Sequence, residues 1–302
     1  MAGIAFIGLG HMGGGMAPNL AKAGHDVSAF DLSDEALSAA ADGGCSRAGS
    51  TEEACKDADV VITMLPAAKH VLEVYRNHVF GSAPASALLI DCSTIDVGSA
   101  RTIAEEAEAK GYAMVDAPVS GGIAAAAGGT LAFMVGGSGE AFGRAQPILD
   151  PMAKAVIHAG GPGAGQAAKI CYNMILGATM VATCEGFAMA RKLGLDLQTF
   201  FDISSQASGQ SWSMTSYCPV PGVGPKTPAD NDYEGGFAAA LMLKDLKLAD
   251  EAAKQVGAYT PMGGEAEELF QRFVDRGGGS KDFCGIIKMI DDSWKVPDEE
   301  GK

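Results

Sequence analysis

The chain has 302 residues, of which 47% are hydrophobic and 20% charged, a composition typical of a globular protein that excludes a largely disordered one. Its net charge of −15 argues against a nucleic acid or an anionic membrane as partner, because both repel an acidic surface. At about 100–200 residues per domain, the length favours two domains.

The seven cysteines are scattered, with no Cys-x-x-Cys pair and no spacing typical of zinc ligands. We therefore expect reduced, mostly buried thiols, no metal site and a cytoplasmic protein. The N-terminal residues lead directly into an apolar run, so no targeting segment is visible.

Short apolar runs alternate with helical stretches from Met1 to about residue 160. The runs predicted as strands are GIAFIGLG, DVSAFD, DVVITML, ALLIDCS, AMVDAPV and LAFMVGG. The predicted helices are Met12–Ala23, Ser33–Ala41, Ser99–Lys110 and Glu140–Asp150. This alternation indicates an α/β fold of the Rossmann type, a doubly wound and mostly parallel sheet with helices on both faces.

The strand pattern ends at a glycine-rich break before residue 166, and the rest of the chain is predicted to be all-helical. The predicted helices are Lys169–Leu193, Asp196–Gln206, Ala239–Val256 and Gly264–Arg276, and the end, Val296–Lys302, is expected to be frayed. We expect a dinucleotide-binding domain over 1–162 and a helical domain for substrate binding and oligomerisation over 163–302.

The first helix of that second half is apolar almost all the way round. Its run Ile170–Met189 approaches the length of a membrane span, but Asn173 and Glu185 interrupt it, which favours a helix buried in protein. Other helices of the same domain, a partner subunit or both are expected to cover it.

A segment rich in proline and glycine, Ser208–Gly236, carries no regular pattern. Loops of this length are usually functional or disordered. Because Trp212 and Tyr217 lie within it, we favour a loop packed near a pocket; an exposed disordered insert is the alternative.

The most informative motif follows the first strand and opens the first helix. It is a Gly-x-Gly-x-x-Gly turn made of Gly8, Leu9, Gly10, His11, Met12 and Gly13. Asp31 ends the next strand about 20 residues later, as in dinucleotide-binding folds. Gly8 permits the turn, Gly10 admits the pyrophosphate to the backbone, and Gly13 allows close helix packing.

Asp31 is placed to accept hydrogen bonds from the adenosine ribose and to repel a 2′-phosphate. The residues that follow it, 32–35, contain no arginine or lysine. The sequence therefore favours NAD over NADP as cofactor.

Further cofactor contacts are expected where later strands end, since such sheets bind ligands there. Leu65 and Pro66 lie at the end of the strand DVVITML and Thr94 follows the strand ALLIDCS; ordinary turn residues are the alternative. His70 lies near enough in sequence to approach the cofactor, and we interpret His70 and His11 as positional and not as acid–base groups.

Four motifs in order resemble the β-hydroxyacid dehydrogenase family. They are the glycine-turn region up to Asp31, DAPVSGG at 116–122, GAGQAAKICYNM at 163–174 and LMLKDLKLA at 241–249. Gly15 departs from the family pattern, which commonly has proline there, and a glycine is expected to cost some helix stability.

The resemblance implies an NAD-dependent oxidation of a small β-hydroxy acid. It assigns Lys169 as the general base and Asn173, one helical turn later, as the group that orients the hydroxyl or the lysine. A free lysine has a reference pKa of about 10.4, so burial beside the nicotinamide would have to favour the neutral amine. Cys171, between them, is interpreted as a core residue.

The same resemblance assigns Ser120, Gly121 and Gly122 to the substrate carboxylate, through a hydroxyl and backbone N–H groups. Lys244 is assigned to both substrate and nicotinamide, and Asp245 to orienting its neighbours. Family members form homodimers or homotetramers, so we expect an oligomer.

The long loop is similar to the branch of the family that acts on 3-hydroxyisobutyrate in valine breakdown. A reductase of tartronate semialdehyde or a similar acid, working on glycerate in reverse, is the alternative within the family. A regulatory NAD-binding protein without turnover is a third reading, disfavoured because Lys169 and Asn173 are both present.

Overall fold

The computed structural model describes residues 1–293 and divides the chain into two compact units, Met1–Lys169 and Ile170–Lys302. The boundary expected from the sequence, between residues 162 and 163, precedes a helix that continues from one unit into the other. The frayed end expected for Val296–Lys302 lies outside the described residues.

The first unit is built on one twisted sheet. Its strands are β1 (Gly3–Ile7), β2 (Asp26–Phe30), β3 (Ser46–Arg47), β4 (Val60–Thr63), β5 (Leu88–Asp91), β6 (Ala113–Asp116), β7 (Val119–Ser120), β8 (Leu131–Gly136) and β9 (Ala153–Gly160). They lie in the order β3-β2-β1-β4-β5-β6-β8-β7, with β9 also paired to β8. Pairing is parallel from β3 to β6, and β8 runs antiparallel to β6 and β7. The predicted Rossmann-type sheet is confirmed.

The helices of this unit are α1 (Gly13–Lys22), α2 (Asp34–Asp42), α3 (Thr51–Cys55), α4 (Ala68–Val74), α5 (Val97–Ala109), α6 (Gly122–Gly128) and α7 (Gly139–Leu149). The four predicted helices correspond to α1, α2, α5 and α7. The short α3, α4 and α6 and the strands β3, β7 and β9 were not predicted as separate elements. β9 is mostly exposed or half-exposed, so it lacks the apolar run that identifies a buried strand.

Each face of the sheet has its own core because successive strand residues point to opposite sides. Phe6 of β1 packs on one face with Met16 and Leu20 of α1. Ile7 packs on the other with Val71 of α4 and Ile103 of α5. Helices thus cover both faces, as a parallel sheet requires.

Gly15 has a packing role in α1. A Cβ there would stand 2.8 Å from the backbone nitrogen of Ala127, at the end of α6. Asn19, one turn later, donates its side-chain amide to the Ala126 carbonyl at 2.8 Å. Gly15 therefore lowers the helix propensity of α1 but allows α1 to pack closely against α6, which a larger residue would prevent.

The second unit is all-helical among its described residues, apart from one isolated bridge between Ala238 and Asp282. Its helices are the continuation of α8 (Ala164–Lys192), then α9 (Leu197–Gln206), α10 (Trp212–Thr215), α11 (Ala239–Val256), α12 (Pro261–Phe273) and α13 (Ile287–Ile290). α8 begins five residues before the predicted start, and α12 begins at Pro261, which suits a first helical turn.

The core of this unit forms around α8. Met180, Cys184 and Phe187 of α8 pack in one cluster with Phe270 and Phe283. Among residues 1–293, α8 is the one helix long and apolar enough to cross a membrane, and 44% of its most apolar window is buried within the protein. These contacts support the interpretation of α8 as a core helix.

The long loop 208–236 packs onto the second unit. Met214, Cys218 and Tyr233 are buried, and the Tyr217 hydroxyl donates to the buried Asp282 carboxylate at 2.9 Å. The start of the loop, with α8 and α9, lines a pocket of about 320 Å³. The packed loop expected from the sequence is confirmed, and an exposed insert is excluded.

Candidate active site

The glycine turn leaves β1 and enters α1. Gly8 has a φ of 96°, which favours glycine, and a Cβ at Gly13 would stand 2.0 Å from the Gly8 carbonyl oxygen. At Gly10 a Cβ would meet no atom within 4 Å apart from its chain neighbours. Gly13 is therefore needed for packing, whereas Gly10 faces open space that a ligand can enter.

The start of α1 suits an anion. Gly10 and His11 are exposed, and Met12, the residue before α1, supplies no side-chain cap to the first turn. Backbone N–H groups at a helix start without such a cap attract phosphate oxygens. The turn thus fits the pyrophosphate of a dinucleotide.

Asp31 holds the turn against the end of β2. Its carboxylate accepts from the Leu9 N–H at 2.6 Å and from the Ser33 N–H at 2.8 Å, one bond on each oxygen. Each carboxylate oxygen has a further lone pair, which a ribose hydroxyl can use.

Arg47, a basic residue not predicted as part of the site, lies on the strand next to β2. Arg47 of β3 donates to the Asp34 carboxylate at 2.8 Å and to the Ser38 hydroxyl at 3.3 Å. β3 pairs with β2, which brings an arginine from outside the segment 32–35 to it. Asp34 therefore forms an ion pair with an arginine that is distant in sequence.

The neighbouring strands β4, β5 and β6 each end on a polar residue, and the three ends are in register. Thr63 pairs with Asp91, and Asp91 pairs with Asp116. The Thr63 hydroxyl donates to Asp91 at 2.8 Å, and all three side chains are buried. Burial raises the pKa of Asp91 to about 6, against the hydrogen bonds that favour its charged form.

Ser93 connects this row to two predicted cofactor contacts. Its hydroxyl donates to Asp91 at 2.6 Å and accepts from the Leu65 N–H at 2.8 Å. The structure thereby brings the turn of Leu65 and Pro66 to the segment that carries Thr94.

Asp116 binds the start of α8. Its carboxylate accepts from the N–H groups of Gly163 at 2.7 Å and Gln166 at 2.9 Å. Burial raises the pKa of Asp116, and these backbone hydrogen bonds oppose the shift. A carboxylate at this position stabilises the positive end of the helix dipole.

Lys169 lies on the second turn of α8 and is only 7% exposed. Its Nζ donates to the carbonyl oxygen of Val119 at 2.8 Å, directly before Ser120. Gly121 and Gly122 follow with φ values of 135° and 74°, and Gly122 opens α6. The predicted base and the predicted carboxylate turn are therefore neighbours.

In the second unit, Asn173 is buried and its side-chain amide donates to Asp245 of α11 at 2.5 Å. Lys244, next to Asp245 in the chain, is half-buried. Asp245 thus fixes the orientation of the Asn173 amide, as expected of a residue that orients its neighbours.

Two further residues discussed from the sequence, Cys171 and His70, lie in different surroundings. Cys171 is exposed, so the expectation of a core position is wrong; it lies on a different face of α8 from Lys169 and Asn173. His70 is half-buried in α4, and its Nδ1 has no hydrogen-bond partner among the described residues.

Three buried polar residues of this region were not predicted as site residues: Asp91, Asp116 and Gln166. A signal for the two aspartates was present, because each ends an apolar strand in a sheet that binds ligands at that edge. Gln166 carried none, since its partners are distant in sequence.

The two parts of the chain match two family models. Residues 3–161 match the NAD binding domain of 6-phosphogluconate dehydrogenase. Residues 163–290 match the model described as NAD-binding of NADP-dependent 3-hydroxyisobutyrate dehydrogenase.

Several relatives match over nearly the whole chain. A 3-hydroxyisobutyrate dehydrogenase of Pseudomonas aeruginosa is 48% identical over 96% of this chain and 98% of its own. An NAD-dependent L-serine dehydrogenase of the same species is 45% identical with the same coverage. The structure of Mycobacterium tuberculosis 3-hydroxyisobutyrate dehydrogenase with L-serine has a TM-score of 0.93, at 46% identity, over 96% of this chain and 99% of that one. The chain belongs to the 3-hydroxyisobutyrate dehydrogenase family and is an NAD-dependent oxidoreductase of β-hydroxy acids that acts on a CH–OH group.

Proposed function

We propose that the protein oxidises 3-hydroxyisobutyrate to methylmalonate semialdehyde in valine breakdown, with Lys169 as general base. The observation that carries this assignment is the buried Lys169 amine, hydrogen-bonded at 2.8 Å to the carbonyl that precedes Ser120. The relatives named for this activity support the choice of substrate.

Bound NAD supplies the acceptor for the hydride that leaves the hydroxyl-bearing carbon. Lys169, in its neutral form, takes the hydroxyl proton, a contribution of about 10²–10⁴ in rate for a well-placed base. Donation to the Val119 carbonyl orients the amine, and burial favours its neutral form.

Ser120, Gly121 and Gly122 bind the substrate carboxylate through a hydroxyl and backbone N–H groups, without a further titrating group. Asn173 orients the reacting hydroxyl or the lysine, and Asp245 holds its amide. Lys244 of α11 contributes positive charge for the substrate carboxylate and the nicotinamide side.

L-serine is a second candidate substrate, favoured by the L-serine dehydrogenase and by the L-serine in the Mycobacterium tuberculosis structure. Serine, 3-hydroxyisobutyrate and glycerate share one skeleton, a CH₂OH and a carboxylate on the same carbon. They differ only in its third substituent: ammonium, methyl or hydroxyl. An apolar surround selects the methyl group, and hydrogen-bond acceptors select the ammonium.

A substrate panel with NAD and NADP tests the assignment. We expect the highest kcat/KM for 3-hydroxyisobutyrate with NAD; a higher value for L-serine or glycerate, or for the reduction of tartronate semialdehyde with NADH, would replace the substrate. Lys169→Ala should lower kcat at least 100-fold and still bind NADH, detected by its fluorescence. Lys154→Ala, at an exposed lysine of β9, is the control. Retention of wild-type kcat by the Lys169 variant would exclude the proposed mechanism.

We also propose a homo-oligomer in a reducing compartment. Ile175 and Met189 of α8 are 61% and 63% exposed, and apolar exposure of this kind on a core helix is typical of a subunit contact. The seven cysteines are free thiols. Sedimentation should give a dimer or tetramer, and a monomer at micromolar concentration would contradict this.

A further inference from the structure

Gln166, on the first turn of α8, is fully buried and lies outside the residues assigned to the reaction. Its Nε2 donates to the Ser93 carbonyl at 2.7 Å, and its Oε1 accepts from the Ile95 N–H at 3.1 Å. One side-chain amide therefore binds the two backbone groups on either side of Thr94.

The contacts continue from Ser93 to a second loop. The Ser93 hydroxyl accepts from the Leu65 N–H at 2.8 Å and donates to Asp91 at 2.6 Å. Gln166 is thus linked directly to the loop after β5 and, through Ser93, to the loop after β4.

Lys169 follows Gln166 by three residues on the same helix, a rise of about 4.5 Å. The backbone N–H of Gln166 also donates to Asp116 at 2.9 Å, so both its main chain and its side chain are held. Gln166 therefore joins the helix that carries Lys169 to the loop that carries Thr94.

We propose that Gln166 is a positioning residue that sets the register between the base and the nicotinamide side of the cofactor site. This inference rests on the proposed function, in which Lys169 is the base and Thr94 a cofactor contact. The role needs one uncharged group that donates and accepts at once, which a primary amide provides. A carboxylate cannot donate to the Ser93 carbonyl, and an apolar side chain leaves two buried backbone groups unpaired.

The effect should fall on kcat. Misplacement of reacting groups by about 1 Å can cost 10²-fold in rate. The glycine turn and Asp31 have no hydrogen bond to Gln166, so the KM for NAD should change less than about threefold.

Two variants separate positioning from packing. Gln166→Met keeps the approximate volume and loses both hydrogen bonds; we expect kcat to fall about 10²-fold at every pH. Gln166→Glu loses the donor only when ionised, because a protonated carboxyl can donate to Ser93 and accept from Ile95 as the amide does. The exposed Gln146→Glu, on α7, is the control for a new carboxylate.

The ionisable groups tied to this network are Asp91, Asp116 and Lys169, with Arg101 packed against Gly163. These groups are present in the wild type too, so the readout is the ratio of variant to wild-type kcat at each pH. For Gln166→Glu this ratio should rise at least tenfold between pH 9 and pH 6, and for Gln146→Glu it should stay flat.

Rates are measured on whichever hydroxy acid the wild type oxidises fastest, with Lys169→Ala in parallel. An active Lys169 variant overturns the proposed function, whatever the Gln166 variants do. With Lys169→Ala inactive, a flat ratio for Gln166→Glu, or a loss confined to the KM for NAD, overturns the positioning role. If Gln166→Met does not fold, the pH ratio of Gln166→Glu decides alone.

Discussion

The glycine turn and the first turns of α8 are the two ends of the proposed site in the first unit, and they are built in opposite ways. The turn, Gly8–Gly13, is exposed at Gly10 and His11 and leaves an open space at Gly10. The start of α8 is buried, and Gln166 and Lys169 are both hydrogen-bonded to backbone carbonyls. The glycine turn thus depends on open space that a cofactor can enter. The start of α8 depends on buried polar side chains that are hydrogen-bonded.

The same glycine-to-alanine change should separate packing from ligand binding within the turn. Gly13→Ala places a Cβ 2.0 Å from the Gly8 carbonyl, so we expect a loss of about 3 kcal/mol or more in the free energy of unfolding. Gly10→Ala meets no protein atom and should leave stability within about 1 kcal/mol, but raise the KM for NAD about tenfold. Urea unfolding and initial rates measure both. Equal stability losses would show that Gly10 is also a packing glycine.

At the buried end, Asp91→Asn should stabilise the protein in a pH-dependent way. The pKa of Asp91 is about 6 in the folded protein and about 3.9 in an unfolded chain. The folded state therefore binds more protons between these values, and the wild type loses stability as the pH rises from about 4 to 6.

The variant lacks this titration and retains an oxygen that can accept from Thr63 and Ser93. Its unfolding free energy relative to wild type should increase by roughly 2–3 kcal/mol between pH 4 and pH 7, measured by urea unfolding. Asp57→Asn, at an exposed aspartate, controls for the loss of one charge. If the difference in unfolding free energy between variant and wild type stays constant with pH, ionisation of Asp91 does not destabilise the folded protein.

The glycine turn could be predicted from the sequence more fully than the start of α8. The reason is the distance along the chain between the residues that are hydrogen-bonded at each end. Leu9 and Asp31 are 22 residues apart, within one strand–helix–strand unit, so the pattern of the cofactor end is visible in the sequence. Gln166 and Ser93 are 73 residues apart, and their pairing depends on the order of the strands. The start of α8 was predicted five residues too far along the chain for the same reason. Asp116, which caps this helix, is 47 residues before Gly163.

The smallest expected effect concerns the preference for NAD over NADP. Its measurement tests whether Asp31 alone determines that preference. Asp31→Asn removes the charge that repels a 2′-phosphate, so the ratio of kcat/KM for NAD to that for NADP should fall about tenfold. We expect Arg47, which donates to the Asp34 carboxylate at 2.8 Å, to be a second determinant of this preference. Adding Asp34→Asn should weaken that pair and lower the ratio further. Asp26→Asn, an exposed aspartate at the other end of β2, is the control. If it shifts the ratio as much as Asp31→Asn does, overall charge and not the ribose contact sets the preference.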